Sequence, residues 1–325
     1  MRNIYRHHLS NLNDLQQGIY AAIYKKLCSC RNTVKLPIAH PNEILLAFEA
    51  ILLDNPEIFY VDSFQYISEL NKAVALTPNY LFSASEIRRH QEAVQSSLAF
   101  TGAVGNKSDY EKVLYVHDAI LNSVRYDYTF AGISNTVLGV AENKLGVCEG
   151  IAKYVKLALD CLSVKSIVVT GRATNPSLDR SVSEAHAWNM VEVDGNWHHL
   201  DVTFDLTLKH KTNRYDYFLI SDEEIRADHS TGNKLPSASV KQKDYYYLKG
   251  LAVAKSVNLE KLIYDGLVQG QRIMQFKLLN VREGLDPCEK VMQIAQAQCQ
   301  SVLTNSFSVE LRYNSALWVF ELEIT

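Results

Sequence analysis

The sequence predicts an α+β protein that contains a helix beginning at Cys148 and an antiparallel β-hairpin further along the chain. Two observations lead to this prediction. After Cys148, apolar residues recur every three or four positions, which is the period of a helix with one buried face. Further along, Asp194-Gly195 separates two stretches rich in strand-forming residues, and this dipeptide is the strongest short signal for a type I′ hairpin turn.

Residues 1–105 are predicted to form a mostly helical or mixed N-terminal region. Caps, apolar spacing and breakers predict helices at residues 12–27, 41–53 and 85–98, a strand at 58–66 and a loop at Thr77-Pro78-Asn79. A cluster of Gly, Asn and Ser at residues 101–108 marks a boundary, after which a helix is expected at 109–123. His117 lies on the apolar face of that helix, so we interpret it as a core histidine bonded to the backbone.

Residues 106–232 are predicted to form the central core, and residues 233–325 a small α+β module. The module is predicted to contain helices at 259–268 and 287–302, a strand at 273–279 and a hairpin of 307–313 with 317–324. Within it, Tyr245-Tyr246-Tyr247 is more consistent with alternating aromatic residues in a buried strand than with an exposed surface.

Composition limits the class of partner. Of the 325 residues 47% are hydrophobic and 21% charged, the net charge is −3, and the pI is about 6.4. This balance favours neither nucleic acid nor an anionic membrane as a partner. The N-terminus lacks the apolar stretch of a signal peptide, and we expect a cytoplasmic protein with six reduced cysteines. Composition does not indicate an oligomeric state.

Cys148 is the first candidate for chemistry. At a helix N-terminus, unpaired backbone N–H groups and the helix dipole favour a thiolate, and the same N–H groups can bind an oxyanion. Glu149 works against this because it places a negative charge beside the thiol. Gly146 and Gly150 are compatible with a tight turn and close approach of a substrate.

His186 and Asp201 are expected to come together across the predicted hairpin. When its strands are paired about Asp194-Gly195, His186 lies opposite Thr203. Trp188 then lies opposite Asp201, so His186 and Asp201 are diagonal neighbours on one face of the sheet. Such neighbours have Cα atoms about 7–8 Å apart, within reach of an imidazole and a carboxylate.

These three segments resemble the transglutaminase-like superfamily. They are Gly146-Val147-Cys148-Glu149-Gly150, His186-Ala187-Trp188 and Asp201-Val202-Thr203-Phe204-Asp205. The resemblance covers residues 106–230, where the chain is similar to bacterial members of the superfamily. It implies a papain-like core in which the helix that bears Cys148 packs on an antiparallel sheet that bears His186 and Asp201. It implies that Cys148 is the nucleophile, His186 the general base, and Asp201 the residue that orients the imidazole. This chain departs from the superfamily pattern at two positions. Phe204 stands where the superfamily usually has a Trp, and Ile151 stands where an aromatic residue often follows Cys-Glu-Gly.

The implied reaction is acyl transfer through a thioester on a protein or peptide substrate, without a cofactor. Release of the acyl group by water gives a cysteine protease or amidase, which we favour; release by an amine gives a transglutaminase. A third possibility is a non-enzymatic binding module, because some relatives serve as scaffolds. Further candidates for the substrate cleft are Trp188, Tyr126, Asp127 and Gly146.

A zinc site built from Cys148, His186 and one of the neighbouring histidines is a weaker interpretation. His198 and His199 are adjacent in a strand and point to opposite faces, so only His199 shares the face of Asp201. No pair of cysteines accompanies them, and Cys28 and Cys30 lack a second pair. We therefore predict no metal.

Overall fold

The structure is a computed structural model that describes residues 4–30, 32–69, 72–130, 132–174, 183–281 and 287–325. It is built from helices and mainly antiparallel sheets in separate groups along the chain, which confirms the α+β class. Residues 1–3, which belong to the stretch that argued against a signal peptide, lie outside the described residues. Within that description, none of the helices is long and apolar enough to cross a membrane.

The N-terminal region combines helices with a small antiparallel sheet. Its elements are α1 (His7–Ser10), α2 (Asp14–Leu27), β1 (Val34–Ala39), α3 (Pro41–Asp54), β2 (Val61–Glu69), β3 (Lys72–Tyr80), α4 (Ala84–Ser97) and a 3₁₀ helix (Leu98–Val104). The strand order is β1-β3-β2. Ser83 and Glu86 form a capping box that begins α4.

The loop predicted at Thr77-Pro78-Asn79 is wrong, because these residues lie inside β3. Pro78 pairs with Phe64 of β2, while β1 pairs with β3 only as far as Leu76. Since β1 does not reach Pro78, the N–H that proline lacks is not needed on that side. A proline is therefore tolerated at the end of a central strand.

The central elements surround one antiparallel sheet of order β10-β6-β7-β8-β9. They are α5 (Asp109–Ser123), β4 (Arg125–Tyr126), a π-helical turn (Gly139–Asn143), β5 (Leu145–Gly146), α6 (Cys148–Cys161), β6 (Ser166–Ala173), β7 (Glu184–Val193), β8 (Asn196–Leu200), α7 (Val202–Leu208), β9 (Phe218–Ile220), α8 (Asp222–Ile225) and β10 (His229–Ser230). Ile151, Val155 and Leu159 form the buried face of α6. Asn189 of β7 donates to the carbonyl of Ala152 (2.9 Å) and ties the sheet to this helix.

The predicted hairpin turn forms, but its second strand is shorter than expected. Asp194 and Gly195 have φ values of 50° and 78°, as a type I′ turn requires, and the predicted register holds as far as Asn189 opposite Leu200. At Asp201 the chain leaves the sheet and begins α7. The expected strand pairs of His186 with Thr203 and of Trp188 with Asp201 are therefore wrong.

The physical reason is the side chain of Asp201. Its Oδ1 accepts hydrogen bonds from the backbone N–H groups of Thr203 (2.9 Å) and Phe204 (3.1 Å), which makes it the N-cap of α7. An aspartate that satisfies two N–H groups in this way favours the start of a helix over continuation of a strand.

The C-terminal module has the order of elements that was predicted, preceded by a short helix and strand. It contains α9 (Tyr245–Leu248), β11 (Ala252–Val253), α10 (Ser256–Val268), β12 (Ile273–Leu278), α11 (Cys288–Val302), β13 (Val309–Asn314) and β14 (Val319–Ile324). Its sheet has the order β11-β12-β14-β13. The buried strand expected at Tyr245-Tyr246-Tyr247 is wrong: Asp244 caps a single helical turn there. Tyr246 is buried, and Tyr245 stacks on Tyr215 with ring centroids 3.8 Å apart.

One hydrophobic core joins the N-terminal region to α5, α6 and part of the central sheet, and the C-terminal module has a core of its own. The start of the chain is held against α6 and β6 by polar contacts as well. The buried amine of Lys156 donates to the carbonyl of Tyr5 (3.1 Å) and to Asp160 (3.2 Å), and the ring of His8 bonds the carbonyl of Val168 (2.8 Å). The division at residues 105 and 232 stays a prediction.

Candidate active site

Cys148 is the first residue of α6, and the chain that leads into the helix is held on both sides. Residues 125–126 of β4 pair in parallel with residues 145–146 of β5, and the N–H of Val147 donates to the carbonyl of Ser134 (3.0 Å). The N–H groups of the first helical turn have no acceptor within the helix. Cys148 is partly exposed. A reacting group that reaches the thiol therefore also meets these N–H groups.

Gly146 and Gly150 pack tightly at this helix start. A Cβ on Gly150 would lie 2.2 Å from the carbonyl oxygen of Ser134, and one on Gly146 would lie 2.8 Å from Val140 Cγ2. Both glycines are buried. Their contacts give both glycines a packing role, and the place of Gly146 in a substrate cleft stays a prediction.

The negative charge of Glu149, expected to oppose a thiolate, has a partner. Lys153 lies one turn later on α6 and donates to Glu149 Oε1 at 2.6 Å. This ion pair reduces the repulsion that Glu149 exerts on an anionic sulfur.

The structure brings Cys148, His186 and Asp201 together. His186 Nε2 lies 2.6 Å from Asp201 Oδ2, which leaves Nδ1 as the ring nitrogen available to the thiol of Cys148, and this thiol interacts electrostatically with the imidazole. Burial would lower the pKa of His186, but the charge and hydrogen bond of Asp201, together with Cys148, raise it to about 10. Burial alone would raise the pKa of Asp201. The charges and hydrogen bonds of His186 and His229 instead hold this pKa well below its usual range.

Aromatic rings enclose the imidazole. The ring of His186 lies 4.5 Å from that of Phe204 and 6.1 Å from that of Trp188. Trp188 is 2% exposed, and its Nε1 donates to His199 Nδ1 at 3.1 Å. Trp188 thus lies behind the imidazole in the protein interior, while Phe204 packs against its face.

Tyr126 lies beside Cys148, whereas Asp127 faces inward. Burial and the nearby thiol raise the pKa of Tyr126. The rings of Tyr128 and Phe130 lie 4.9 and 6.4 Å from that of Tyr126, and they are 71% and 68% exposed. These three rings form an aromatic rim close to the thiol. Asp127 is buried and accepts hydrogen bonds from Thr129, so it shapes the turn that carries the rim.

His229 is a member of the site that the sequence did not predict. Its Nε2 lies 3.0 Å from Asp201 Oδ2, the oxygen that also bonds His186, and its Nδ1 lies 2.6 Å from Asp228 Oδ1. It arrives from β10, which pairs with β6 at the sheet edge. Its only local signal is an acidic residue directly before it, which is too common to single out a site.

His117 is a core histidine, as expected, but its partners are carboxylates rather than the backbone. The ring is fully buried, with Nε2 3.1 Å from Asp205 Oδ2 and Nδ1 3.1 Å from Asp118 Oδ1. Burial would lower the pKa of His117, but these two acids raise it. Asp205 therefore anchors α7 to α5.

Among the described residues, one group has three potential metal ligands close together. It consists of His186, Asp201 and His229, whose ligand atoms lie within 4.8 Å of one another. The Nε2 atoms of His186 and His229 lie 2.6 and 3.0 Å from the same oxygen of Asp201, which are hydrogen-bond distances. These hydrogen bonds explain why the three residues lie close together.

The alternative zinc site through His199 is not assembled. His199 Nδ1 accepts the hydrogen bond from Trp188, and its Nε2 lies 2.9 Å from Asp222 Oδ1. Both ring nitrogens are therefore occupied, and His199 is not available to Cys148. His198, its neighbour in β8, is also buried, and burial lowers its pKa to about 4.

Residues 96–202 match the family model of the transglutaminase-like superfamily. The resemblance stated from the sequence is therefore confirmed over this stretch, which includes Cys148, His186 and Asp201. A search of curated proteins gave no match.

Three solved structures resemble parts of the chain. A TGase aligns over 60% of this chain and 53% of its own, with 16% identity and a TM-score of 0.32. A cysteine-protease candidate from Cytophaga hutchinsonii aligns over 43% of this chain and 61% of its own, with 17% identity and a TM-score of 0.29. A protease candidate from Parabacteroides distasonis aligns over 43% and 30%, with 19% identity and a TM-score of 0.25. The matches thus span between 30% and 61% of the lengths of these structures.

Proposed function

We propose that this protein is a cysteine-dependent hydrolase of peptide or carboxamide bonds, with Cys148, His186 and Asp201 as its reacting groups. One observation carries the proposal. A partly exposed thiol at the start of a helix lies close enough to an imidazole to raise its pKa, and this imidazole is bonded at 2.6 Å to a fully buried carboxylate. The family match over residues 96–202 supports it.

The proposed reaction begins with Cys148 and His186 as a thiolate–imidazolium pair. The sulfur attacks the carbonyl carbon and forms a C–S bond, while N–H groups of the first turn of α6 bind the oxyanion. His186 then gives its proton to the leaving nitrogen as the C–N bond breaks, which leaves a thioester. A water gives a proton to His186 while its oxygen attacks the thioester carbonyl, and the C–S bond then breaks, which releases a carboxylic acid and restores the thiolate–imidazolium pair.

Access to the thiol favours water over an amine as the acceptor. Cys148 is partly exposed, and the rim residues Tyr128 and Phe130 are open to solvent. Exclusion of water is what an amine acceptor needs in order to compete. We therefore propose hydrolysis, and the product formed with an added amine tests this choice.

The first test is the pH dependence of alkylation at Cys148. Iodoacetamide labelling, located by peptide mapping, is expected to stay fast below about pH 6 in the wild type and to lose this acid-side reactivity in His186→Ala. Exposed Cys28 is the internal control, since it lacks an imidazole partner among the described residues. Peptides are then supplied with and without a primary amine.

Three outcomes are informative. Release of an acid in both conditions supports hydrolysis, whereas an amide formed from the added amine shows transglutaminase chemistry. If Cys148 labels with the same pH profile as Cys28 in both proteins, the catalytic proposal fails and a binding module is the better explanation.

A further inference from the structure

A chain of buried hydrogen bonds continues from Asp201 into the C-terminal module. Asp201 bonds His229, His229 bonds Asp228, and Asp228 accepts a hydrogen bond from the hydroxyl of Tyr217. Asn314, at the end of β13, donates to the same hydroxyl at 3.1 Å. The side chains of His229 and Asp228 are 1% and 6% exposed, and Tyr217 and Asn314 are buried, so water does not replace these contacts.

The direction of each hydrogen bond follows from the donors. The N–H of Ala316 donates to Asn314 Oδ1 (3.0 Å), which leaves the amide nitrogen of Asn314 to donate to Tyr217. Because the oxygen of Tyr217 accepts that bond, its own proton is directed to Asp228. Asp228 is thus an acceptor, as expected for a carboxylate.

His229 therefore lies between two acceptors. Each of its ring nitrogens is within hydrogen-bonding distance of a carboxylate oxygen, at 3.0 Å and 2.6 Å. A neutral imidazole has only one N–H, whereas an imidazolium has two and satisfies both carboxylates. Burial opposes the charge on His229, but Asp201 and Asp228 outweigh it and raise the pKa of His229.

We infer that His229 is a positioning residue, which as an imidazolium holds the carboxylate of Asp201 in place and limits the negative charge that Asp201 presents to His186. The inference rests on the proposed function. His186 and His229 bond the same oxygen of Asp201, and their ring centroids are 5.3 Å apart. A positive charge at that distance weakens the hold of His186 on its proton, so that the imidazole can release it to a leaving group.

The other titratable groups around the pair are few. His229 also faces Tyr217 and His199, and of these His199 is neutral because its Nδ1 accepts the bond from Trp188. Cys148 faces His186 on the open side, where Tyr126 is neutral because its pKa is raised, and Glu184 adds a negative charge near Tyr126. Replacement of His229 by a neutral residue therefore removes one positive charge beside the His186–Asp201 pair.

The test is the alkaline inflection in the alkylation profile of Cys148, which marks loss of the proton from His186. In His229→Gln this inflection is expected to move upward, on the order of one pH unit, because the positive charge is lost and Asp201 attracts the His186 proton more strongly. The matched control is His199→Gln, which replaces a buried but neutral histidine and should leave the inflection in place. Circular dichroism verifies that both variants are folded.

Failure of this inference is distinguishable from failure of the proposed function. A wild-type profile without an inflection that depends on His186 overturns the proposed function itself. A normal wild-type profile that is unchanged in His229→Gln overturns only the role of His229.

A second measurement needs no variant. In the wild-type protein with ¹⁵N-labelled histidine, both ring nitrogens of His229 should show the shifts of a protonated imidazole at pH 7. A neutral His229 under these conditions would overturn the inference even if His229→Gln did not fold.

Discussion

Gly150 is the residue whose size most directly constrains the position of the thiol. Its missing side chain lets the carbonyl oxygens of Ser134 and Thr136 approach to within 2.2 and 2.9 Å of where a Cβ would stand. Both are backbone atoms, which cannot swing aside as a flexible side chain can. We expect Gly150→Ala to lower the free energy of unfolding by roughly 1–3 kcal/mol and to slow labelling of Cys148, because the helix start must shift.

Gly18 provides the matched control for this substitution. It lies exposed in the middle of α2, and no atom stands within 4 Å of a Cβ built there. Gly18→Ala should raise the free energy of unfolding by roughly 0.5–1 kcal/mol, since alanine loses less backbone entropy on folding. Urea denaturation measures both variants. A Gly150→Ala protein as stable as the wild type would contradict the steric argument.

At the scale of elements, the sequence predicts what depends on local periodicity. Helices α2, α5 and α11 were predicted to within two residues at each end because each has one apolar face and a clear cap or breaker, and the start of α6 was predicted from its apolar face. The turn at Asp194-Gly195 was predicted for a similar reason, since the dipeptide suits positive φ.

Features that depend on a side chain meeting distant or competing partners were not predicted. Asp201 was expected within a strand, but by accepting backbone N–H groups it ends that strand and starts α7. His186 and Asp201 still meet, by a geometry that differs from the diagonal strand pair. Pairing of β10 with β6 brings His229 to Asp201, and no local pattern specifies that pairing. The catalytic roles of these residues stay predictions.

Asp201 has two functions that substitutions can separate. Asparagine keeps an oxygen that caps α7 but lacks the negative charge, whereas alanine loses both. In each variant the pKa of His186 should fall from about 10, since the charge that raises it is gone. Only Asp201→Ala should lose the cap as well, and we expect it to be about 0.5–2 kcal/mol less stable than Asp201→Asn.

Urea denaturation and the alkylation profile of Cys148 measure the two effects separately. Equal stability of the asparagine and alanine variants would show that the cap contributes nothing. An alkaline inflection that remained at its wild-type position in both variants would show that Asp201 does not raise the pKa of His186.

At the scale of the whole molecule, a buried lysine of the C-terminal module forms ion pairs both within the module and with the central core. Lys277 of β12 donates to Glu224 of α8 and to Asp244, in each case at 2.7 Å. The side chain of Lys277 is 4% exposed and that of Asp244 is 0% exposed. Such a pair need not be more stable than apolar packing, but removal of one partner leaves a buried charge without compensation.

Lys277→Met should therefore destabilise the connection between module and core. The methionine fills a similar volume but leaves Glu224 and Asp244 unpaired, and we expect a loss of about 3–5 kcal/mol in the free energy of unfolding. Burial already raises the pKa of Asp244, and without the Lys277 amine this carboxyl should take up a proton more readily. Folding of the variant therefore takes up a proton at Asp244, and protons are scarcer at high pH. The loss of stability should thus be smaller at pH 5 than at pH 8.

The control is Lys261→Met, which removes a lysine of the same module that is 76% exposed and bonds Asp265 at 3.1 Å. An exposed pair of this kind contributes about 0–1 kcal/mol, with little dependence on pH between 5 and 8. Urea denaturation at pH 5 and pH 8 compares the two variants with the wild type. If Lys277→Met lost no more stability than Lys261→Met, or lost the same amount at both pH values, the buried charges would not be what joins the module to the core.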